Sequence, residues 1–310
     1  MPVDPHIAAV LAGLADLGAP PIYEGTVQEG RASFRQLTQG LRPPEQVTPV
    51  ASAQDRVIPG AEGDLKTRVY RPEGAGPFPV IAFFHGGGWV IGDLDTHDNQ
   101  ARDLCRDARA VVVSIDYRLA PEYPFPAAAD DAVAATHWIA GHLSGLLGDG
   151  RLAVAGDSAG GNLAAVVAQQ CARDGISLAG QLLVYPAIDA VGGYPSRADN
   201  GKGYFLEQKS MDWFLGHYAG PSPDERDPRL SPLYGDLSGL PPAIIVTAEF
   251  DPLRDEGEAY GQAIMAAGGQ AEVRRYDGMI HGFFDMGTLS PAAQSAIEET
   301  TAAFGDLIRG

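Results

Sequence analysis

The chain is poor in cysteine and in basic residues. Its only two cysteines, Cys105 and Cys171, lie in predicted helices, with no Cys-x-x-Cys pattern and no adjacent histidine. We therefore expect buried free thiols rather than a disulfide or a reactive thiol. Lys and Arg total 22 against 40 Asp and Glu, a formal net charge of −18 over 310 residues. Nucleic acid and anionic membranes both select basic faces, so this balance argues against either as a partner.

Long apolar runs are also missing. No stretch approaches the roughly 18 apolar residues of a membrane span. The segment Met1–His6 lacks the basic region that begins a secretory signal peptide. We therefore expect a cytoplasmic protein that binds no membrane. The apolar content of 45% is ordinary for a globular protein, and this length can enclose a large core.

Apolar periodicity predicts two helices, over residues 3–18 and 27–41, before any strand signal. From residue 54 onward, short apolar runs alternate with helical stretches. The predicted strands are 55–59, 65–70, 80–84, 110–115, 151–155, 181–185, 243–248 and 271–276, and the later helices are 96–107, 127–142, 162–171, 256–267 and 292–307. The first two strands are expected to be antiparallel. The remaining alternation predicts an α/β fold with a mostly parallel central sheet flanked by helices.

Residues 190–225 interrupt this alternation with an aromatic, loop-rich and partly helical insertion. We therefore divide the chain into an N-terminal helical segment (1–50), a core (51–189 and 226–310) and the insertion (190–225). Four aromatic side chains of the insertion are equally consistent with a packed interior and with the wall of a pocket: Tyr204, Phe205, Trp213 and Phe214.

The stretch Gly156-Asp157-Ser158-Ala159-Gly160-Gly161 joins a predicted strand to a predicted helix. A serine at such a turn, with glycines two residues to either side, is typical of a nucleophile elbow, in which the turn lifts the hydroxyl clear of the sheet. The pattern alone is weak evidence, because the chain holds 39 glycines. The interpretation therefore depends on the residues at the ends of the other strands.

Two further candidates come directly after strand ends, where the ligands of such sheets lie. Asp251 comes after the strand ending near residue 248. His281 lies on a glycine-flanked stretch, predicted as a loop, after the strand ending near residue 276. A serine hydroxyl needs a base to take its proton, and a buried acid orients that base. The order Ser158, Asp251, His281 is the one expected of an α/β-hydrolase triad.

A glycine-rich loop, His85-Gly86-Gly87-Gly88-Trp89, comes after the strand at residues 80–84. Its backbone N–H groups are uncovered by side chains. We predict that Gly87 and Gly88, with Ala159 after the nucleophile, donate to a developing oxyanion, where one lost donor typically costs about 3 kcal/mol. His85 is expected to orient its own loop rather than to act as a base.

Structural roles compete with these interpretations. Asp251-Pro252 also suits the first positions of a helix, and Glu249 and Asp255 are rival acids that lie on the strand or farther from its end. Asp157 is expected to stabilise the elbow turn rather than to donate a proton. Ser158 would be an N-cap if the other candidates were accidental.

The acidic stretch Asp93–Asp98 resembles a calcium loop only superficially. Aligned from its first aspartate, it lacks the glycine at position six and the glutamate at position twelve that such a loop requires. We expect a solvated loop with a helix cap at Asp95 or Thr96. The sequence predicts no metal and no cofactor.

Together these motifs resemble the hormone-sensitive-lipase-like carboxylesterases, a branch of the α/β hydrolases. The matching stretches are His85–Trp89, Gly92–His97, Asp116–Glu122, Gly156–Leu163, Asp251–Asp255 and His281–Phe283. The resemblance implies Ser158 as nucleophile, His281 as base and Asp251 as its partner, with the oxyanion donors named above. It also implies that segment 1–50 and insertion 190–225 form one cap over a single catalytic domain.

The expected activity is hydrolysis of a small ester through an acyl-enzyme, with short to medium acyl chains suggested by the family. Amide, lactone or carbamate hydrolysis by the same residues stays open. So does a homodimer through the last strand or the closing helix. A non-catalytic receptor on this fold is the alternative from another class. Such receptors dispense with the catalytic histidine, whereas this chain retains His281.

Overall fold

The computed structural model describes residues 2–18, 20–40 and 43–310. Its strands are β1 (Ser52–Gly60), β2 (Gly63–Arg71), β3 (Phe78–Phe84), β4 (Val111–Asp116), β5 (Gly148–Asp157), β6 (Gln181–Val184), β7 (Ala243–Phe250) and β8 (Ala271–Ile280). Its α-helices are α1 (Pro5–Asp16), α2 (Val27–Gly40), α3 (Asp98–Ala108), α4 (Ala127–Gly141), α5 (Ala159–Asp174), α6 (Pro195–Asn200), α7 (Gln208–Ala219), α8 (Arg254–Ala266) and α9 (Pro291–Arg309). Leu41, the predicted end of the second helix, lies outside the described residues.

The strands form one sheet in the order β1-β2-β4-β3-β5-β6-β7-β8. β2 pairs antiparallel with β1 and with β4, and the other pairs are parallel. Helices α3 and α9 pack on one face of the sheet, and α4, α5 and α8 on the other. Because helices cover both faces, β3 and β6 are buried along their whole length. This explains the continuous apolar sequence of β3 and the apolar run that follows Gln181 in β6. The predicted α/β class is confirmed.

The last strand differs from its prediction. β8 continues past Tyr276 to Ile280, and β7 continues to Phe250, with a register shift that lets Phe250 pair with Ile280. Gly278 sits inside β8 in the left-handed region, at φ +75°. His281 is therefore the first residue after the strand and lies in a short turn. The sequence had instead predicted that the strand ends near residue 276 and that a longer loop carries His281.

Two helix starts also differ from the predictions. α8 begins at Arg254, with Leu253 at the N-cap position, so Asp251-Pro252 is not a cap pair. α3 begins at Asp98, and its N-cap position is held by His97 rather than by Asp95 or Thr96. Asp251 instead contacts His281, and Asp95 pairs with Arg68.

The N-terminal helices and the insertion are tied to the core at several points. Arg31 of α2 donates to the carbonyls of Val90 and Ala120 and pairs with the Glu122 carboxylate. In the insertion, Arg197 of α6 pairs with Glu256 of α8 at 2.7 Å. Both segments therefore lie over the edge of the sheet where the carboxyl ends of the parallel strands meet.

Both cysteines are buried and free, as expected. Burial raises the pKa of each thiol to about 12, so neither is a nucleophile near neutral pH. Within the described ranges, no helix has the length and apolar character needed to cross a membrane.

Candidate active site

Ser158 occupies a strained turn between β5 and α5, with φ 55° and ψ −118°. The turn is possible because its neighbours have no side chains: a Cβ on Gly156 would collide with the carbonyl of Gly160, and one on Gly160 with the carbonyl of Phe84. Ser158 makes no capping bond through its side chain. Strain of this kind concentrates at functional positions, since it must be stabilised by the surrounding structure.

The structure brings the three predicted residues into one hydrogen-bonded chain. His281 Nε2 lies 3.0 Å from Ser158 Oγ, and His281 Nδ1 lies 2.8 Å from Asp251 Oδ2. Asp251 is fully buried and His281 nearly so. Because a carboxylate accepts the Nδ1 proton, the Nε2 lone pair is left to accept the serine proton.

The competing acids lie in other hydrogen bonds. Asp251 Oδ1 accepts from the Leu253 amide at 2.8 Å, which orients its other oxygen toward the imidazole. Glu249 accepts from the Gly278 amide at 2.7 Å. Asp255 accepts from the Ser196 amide, also at 2.8 Å. Neither rival faces His281.

Three backbone amides next to Ser158 are free to donate. Gly87 and Gly88 have φ angles of 113° and 59°, which turn their amides away from the strand direction. In the described part of the chain, neither amide donates to a protein acceptor. Ala159 is the first residue of α5, where an N–H has no acceptor within the helix. All three residues border the same cavity as the serine hydroxyl.

Buried polar groups on the core side of the glycine loop fix its conformation. The Gly86 amide donates to Asp157 Oδ1 at 2.8 Å, and a Cβ on Gly86 would strike that carboxylate. His85 Nδ1 donates to the Gly86 carbonyl at 2.7 Å, and its ring stacks on Tyr117. Burial, reinforced by the nearby His97, lowers the pKa of His85 to about 4, so this imidazole is neutral. Burial acts to raise the pKa of Asp157, but His97 and the Gly86 amide outweigh it and the pKa is lowered.

A cavity of about 790 Å³ lies above the serine, within the size range of small-molecule sites. Its upper walls combine side chains of segment 1–50 and of insertion 190–225. The apolar side chains are Val10, Leu14, Ile22, Phe34 and Leu37 from the N-terminal segment, and Phe205, Leu206, Met211, Phe214 and Leu215 from the insertion. Sequence periodicity marked several of these as apolar helix faces without indicating that they face a cavity.

The aromatic residues of the insertion divide between the two roles that the sequence left open. Phe205 and Phe214 line the cavity. Trp213 packs edge-on against Phe214 and His217 inside the cap, and Tyr204 stacks on Phe250 with ring centroids 5.0 Å apart. Phe214 lies directly against Gly88, where any side chain would strike its ring.

Asp93 caps its own loop by accepting from the amides of Asp95 and Thr96, both at 2.9 Å, and pairs with Arg35. Among residues 2–18, 20–40 and 43–310, no cluster of three or more His, Cys, Asp or Glu side chains could hold a metal ion. The sequence drew attention to His97 only as part of the Asp93–Asp98 stretch and its superficial likeness to a metal loop. In the structure His97 is buried beside Gly86 and Asp157.

Comparison with known proteins gives consistent results. A family model described as the alpha/beta hydrolase fold matches residues 81–285. The chain is 42% identical to the carboxylic ester hydrolase LipN of Mycobacterium tuberculosis, over 97% of this chain and 82% of LipN. It is 43% identical to the carboxylesterase NlhH of the same organism, over 89% of this chain and 88% of that protein.

Solved structures agree along nearly the whole chain. A hyperthermophilic esterase from Pyrobaculum calidifontis superposes with a TM-score of 0.93 at 39% identity, covering 99% of both chains. A thermostable esterase from Pseudomonas putida superposes with a TM-score of 0.94 at 37% identity, covering 99% of this chain and 98% of that one. The chain therefore belongs to the α/β-hydrolase family, in the group whose named members are carboxylic ester hydrolases.

Proposed function

We propose that this protein is a serine carboxylesterase that hydrolyses short- to medium-chain carboxylic esters through an acyl-enzyme. The observation that carries the proposal is the hydrogen-bonded chain Ser158–His281–Asp251 at the base of an apolar cavity, beside three unengaged backbone amides. Relatives named as ester hydrolases at 42% and 43% identity support the same reaction.

In the proposed mechanism, Ser158 attacks the ester carbonyl while His281 Nε2 takes its proton. The negative charge that develops on the carbonyl oxygen is stabilised by the amides of Gly87, Gly88 and Ala159. His281 then returns the proton to the departing alcohol, leaving an acyl group on Ser158. A water molecule, deprotonated by His281, attacks this ester and releases the acid. The Asp251 carboxylate stabilises the imidazolium in both halves of the reaction.

The cavity supports the proposed preference for acyl length. About 790 Å³ under a cap accommodates a small or medium apolar group and does not present an open lipid-binding face. We further propose that segment 1–50 and insertion 190–225 act as one cap, because side chains of both line this cavity.

We also propose a cytoplasmic location, since unpaired buried thiols are typical of reducing compartments. A homodimer is a further proposal. Its support is that β8 ends the sheet and exposes one strand edge, and light scattering in solution tests it.

The decisive experiment is Ser158→Ala. We expect p-nitrophenyl ester turnover to fall below a hundredth of wild type, with an unchanged circular dichroism spectrum. Higher residual turnover contradicts the proposed nucleophile. If wild type and Ser158→Ala both show negligible turnover, the result favours the non-catalytic receptor.

Acidification is expected to slow the wild-type enzyme, because a protonated imidazole cannot act as a base. A series of acyl lengths, with one amide isostere included, separates ester hydrolysis from amide hydrolysis by the same residues.

A further inference from the structure

His97 is a buried histidine, 1% exposed, that lies outside the proposed triad. Its Nε2 atom is 3.2 Å from the Gly86 amide nitrogen and 3.5 Å from Asp157 Oδ1. Gly86 precedes the proposed oxyanion donor Gly87. Asp157 directly precedes the nucleophile. One imidazole therefore touches both chain segments that supply the oxyanion donors.

The hydrogen bonds of Thr96 determine which ring nitrogen of His97 carries a proton. The Thr96 hydroxyl donates its single proton to the Asp93 carbonyl at 2.9 Å and accepts from the Asp93 amide at 2.8 Å. It lies 2.9 Å from His97 Nδ1 and has only acceptor capacity left for that contact. On this hydrogen-bond pattern we assign the proton to His97 Nδ1, and Nε2 faces Gly86 and Asp157.

His97 Nε2 hydrogen-bonds one segment at a time, and the charge state of the ring decides which. A neutral ring accepts from the Gly86 amide at Nε2, and a charged ring donates from Nε2 to the Asp157 carboxylate. Burial alone would lower the pKa of His97, but the Asp157 carboxylate outweighs burial and the pKa is raised. The Gly86 amide keeps its 2.8 Å bond to Asp157 in both states.

This connection matters because the proposed oxyanion donors come from two different strand ends. Gly87 and Gly88 come after β3, and Ala159 comes after β5. The last registered pair between those strands is Phe84 with Gly156. Beyond that pair, the Gly86–Asp157 hydrogen bond joins the two segments, and His97 Nε2 lies beside both of its partners. A misplacement of about 1 Å at such a site can cost about a hundredfold in rate.

Packing alone is the simpler explanation for a buried ring. The His97 ring lies 5.9 Å from that of Phe34, 6.5 Å from that of Phe83 and 5.3 Å from that of His85. A packing role would depend on the size of the side chain. A connecting role would depend instead on a polar atom at the position of Nε2. Variants that differ in that atom therefore distinguish a packing role from a connecting role.

We infer that His97 is a positioning residue that sets the spacing between the two halves of the oxyanion hole. The inference rests on the proposed esterase function. It predicts an effect on the chemical step more than on substrate binding, because the donors act on charge that develops in the transition state.

Two polar variants test this role. The amide of His97→Gln reaches the position of Nε2, whereas that of His97→Asn reaches only the side of the ring that faces Thr96. We expect the Asn variant to lose about 10- to 100-fold in kcat on p-nitrophenyl butyrate, with KM within about threefold of wild type. The Gln variant is expected to retain kcat within about threefold of wild type.

His142→Asn is a matched control, since His142 is exposed and stacks on Trp138 away from the cavity. Its kcat and KM are expected to equal those of wild type. Equal kcat values for the Gln and Asn variants of His97 overturn the inference, whether both are high or both low. A loss that appears in KM instead of kcat also overturns it.

Thermal unfolding shows whether each variant is folded. If His97→Asn does not fold, Thr96→Val takes its place, because it removes the acceptor that orients the Nδ1 proton. We then expect kcat to fall at least threefold with KM retained, and an unchanged kcat overturns the inference. Turnover by Ser158→Ala would refute the proposed function itself, whereas an inactive Ser158→Ala with equal His97 variants refutes only the positioning role.

Discussion

Helix α8 carries two ion pairs of nearly equal length and different burial. Glu256 pairs with Arg197 of the insertion at 2.7 Å, and Glu258 pairs with Arg275 of β8 at 2.6 Å. The Glu256 side chain is 1% exposed and its arginine 20%, whereas Glu258 is 20% exposed and its arginine 45%. The two ion pairs have nearly the same N···O distance but differ in burial, so comparing them isolates the effect of burial on stability.

We expect Arg197→Met to destabilise the fold far more than Arg275→Met. Removing one partner of a buried pair costs about 3–5 kcal/mol, because it leaves a buried charge uncompensated. Here the low end applies, about 3 kcal/mol, because the Glu256 carboxylate still accepts from the amides of Ile188 and Asp189. An exposed pair contributes only about 0–1 kcal/mol.

These free energies translate into melting temperatures. At about 2.1 cal/mol/K per residue, a chain of 310 residues has an unfolding entropy of about 0.65 kcal/mol/K. At pH 8, Arg197→Met should therefore lower Tm by about 5 °C, and Arg275→Met by less than about 1.5 °C. Differential scanning calorimetry of both variants and wild type measures this difference. Equal losses would refute the assignment of stability to burial.

The loss of stability caused by Arg197→Met should depend on pH. Burial is the largest influence on Glu256 and raises its pKa from 4.5 to about 7, although Arg197 opposes it. The folded protein then binds this proton more tightly than the unfolded chain, so stability falls as pH rises from about 4.5 to 7. Without the Arg197 cation the pKa rises further. The Tm gap between wild type and Arg197→Met should therefore be wider at pH 8 than at pH 5, and a narrower gap at pH 8 contradicts this.

Three further predictions concern single residues. Burial, with a smaller effect of Asp93, raises the pKa of Asp116 from 3.8 to about 6. The wild-type protein therefore loses stability as pH rises through that window. Asp116→Asn should raise Tm by about 2 °C at pH 8 and leave it unchanged at pH 4. Gly88→Ala places a Cβ against Phe214 at a φ of 59°, and we expect kcat/KM to fall at least about tenfold, with partial recovery in Gly88→Ala/Phe214→Ala. Asp251→Asn should lower kcat by about 10⁴ by favouring the wrong imidazole tautomer, and a loss under tenfold contradicts its role.

The core could be predicted from the sequence because its central strands are buried on both faces and are therefore mostly apolar. Once the alternation is recognised, parallel strands must bring their carboxyl ends to one edge. That geometry places Ser158, Asp251 and His281 together before any coordinates are known. Their local sequences also contain the glycines that such tight turns require.

The end of β8 could not be predicted in the same way. Asp277-Gly278 has the composition of a turn, and Gly278 does adopt a left-handed conformation. The chain nevertheless stays in the sheet, because Phe250 pairs with Ile280 and the Gly278 amide donates to Glu249. Tertiary pairing therefore outweighs the local turn preference, and it places His281 directly at a strand end.

The cap depends on contacts that no local pattern records. Arg31 and Arg197 each extend from a cap helix to acceptors on the core that are 59 or more residues away in sequence. In the sequence each is an isolated arginine with no complementary charge on its own helix face. In the structure each holds one half of the cap against the core. Because the apolar faces of those two halves enclose the cavity, we expect the size of substrate that reaches Ser158 to depend on these two arginines as well as on the side chains that line the wall.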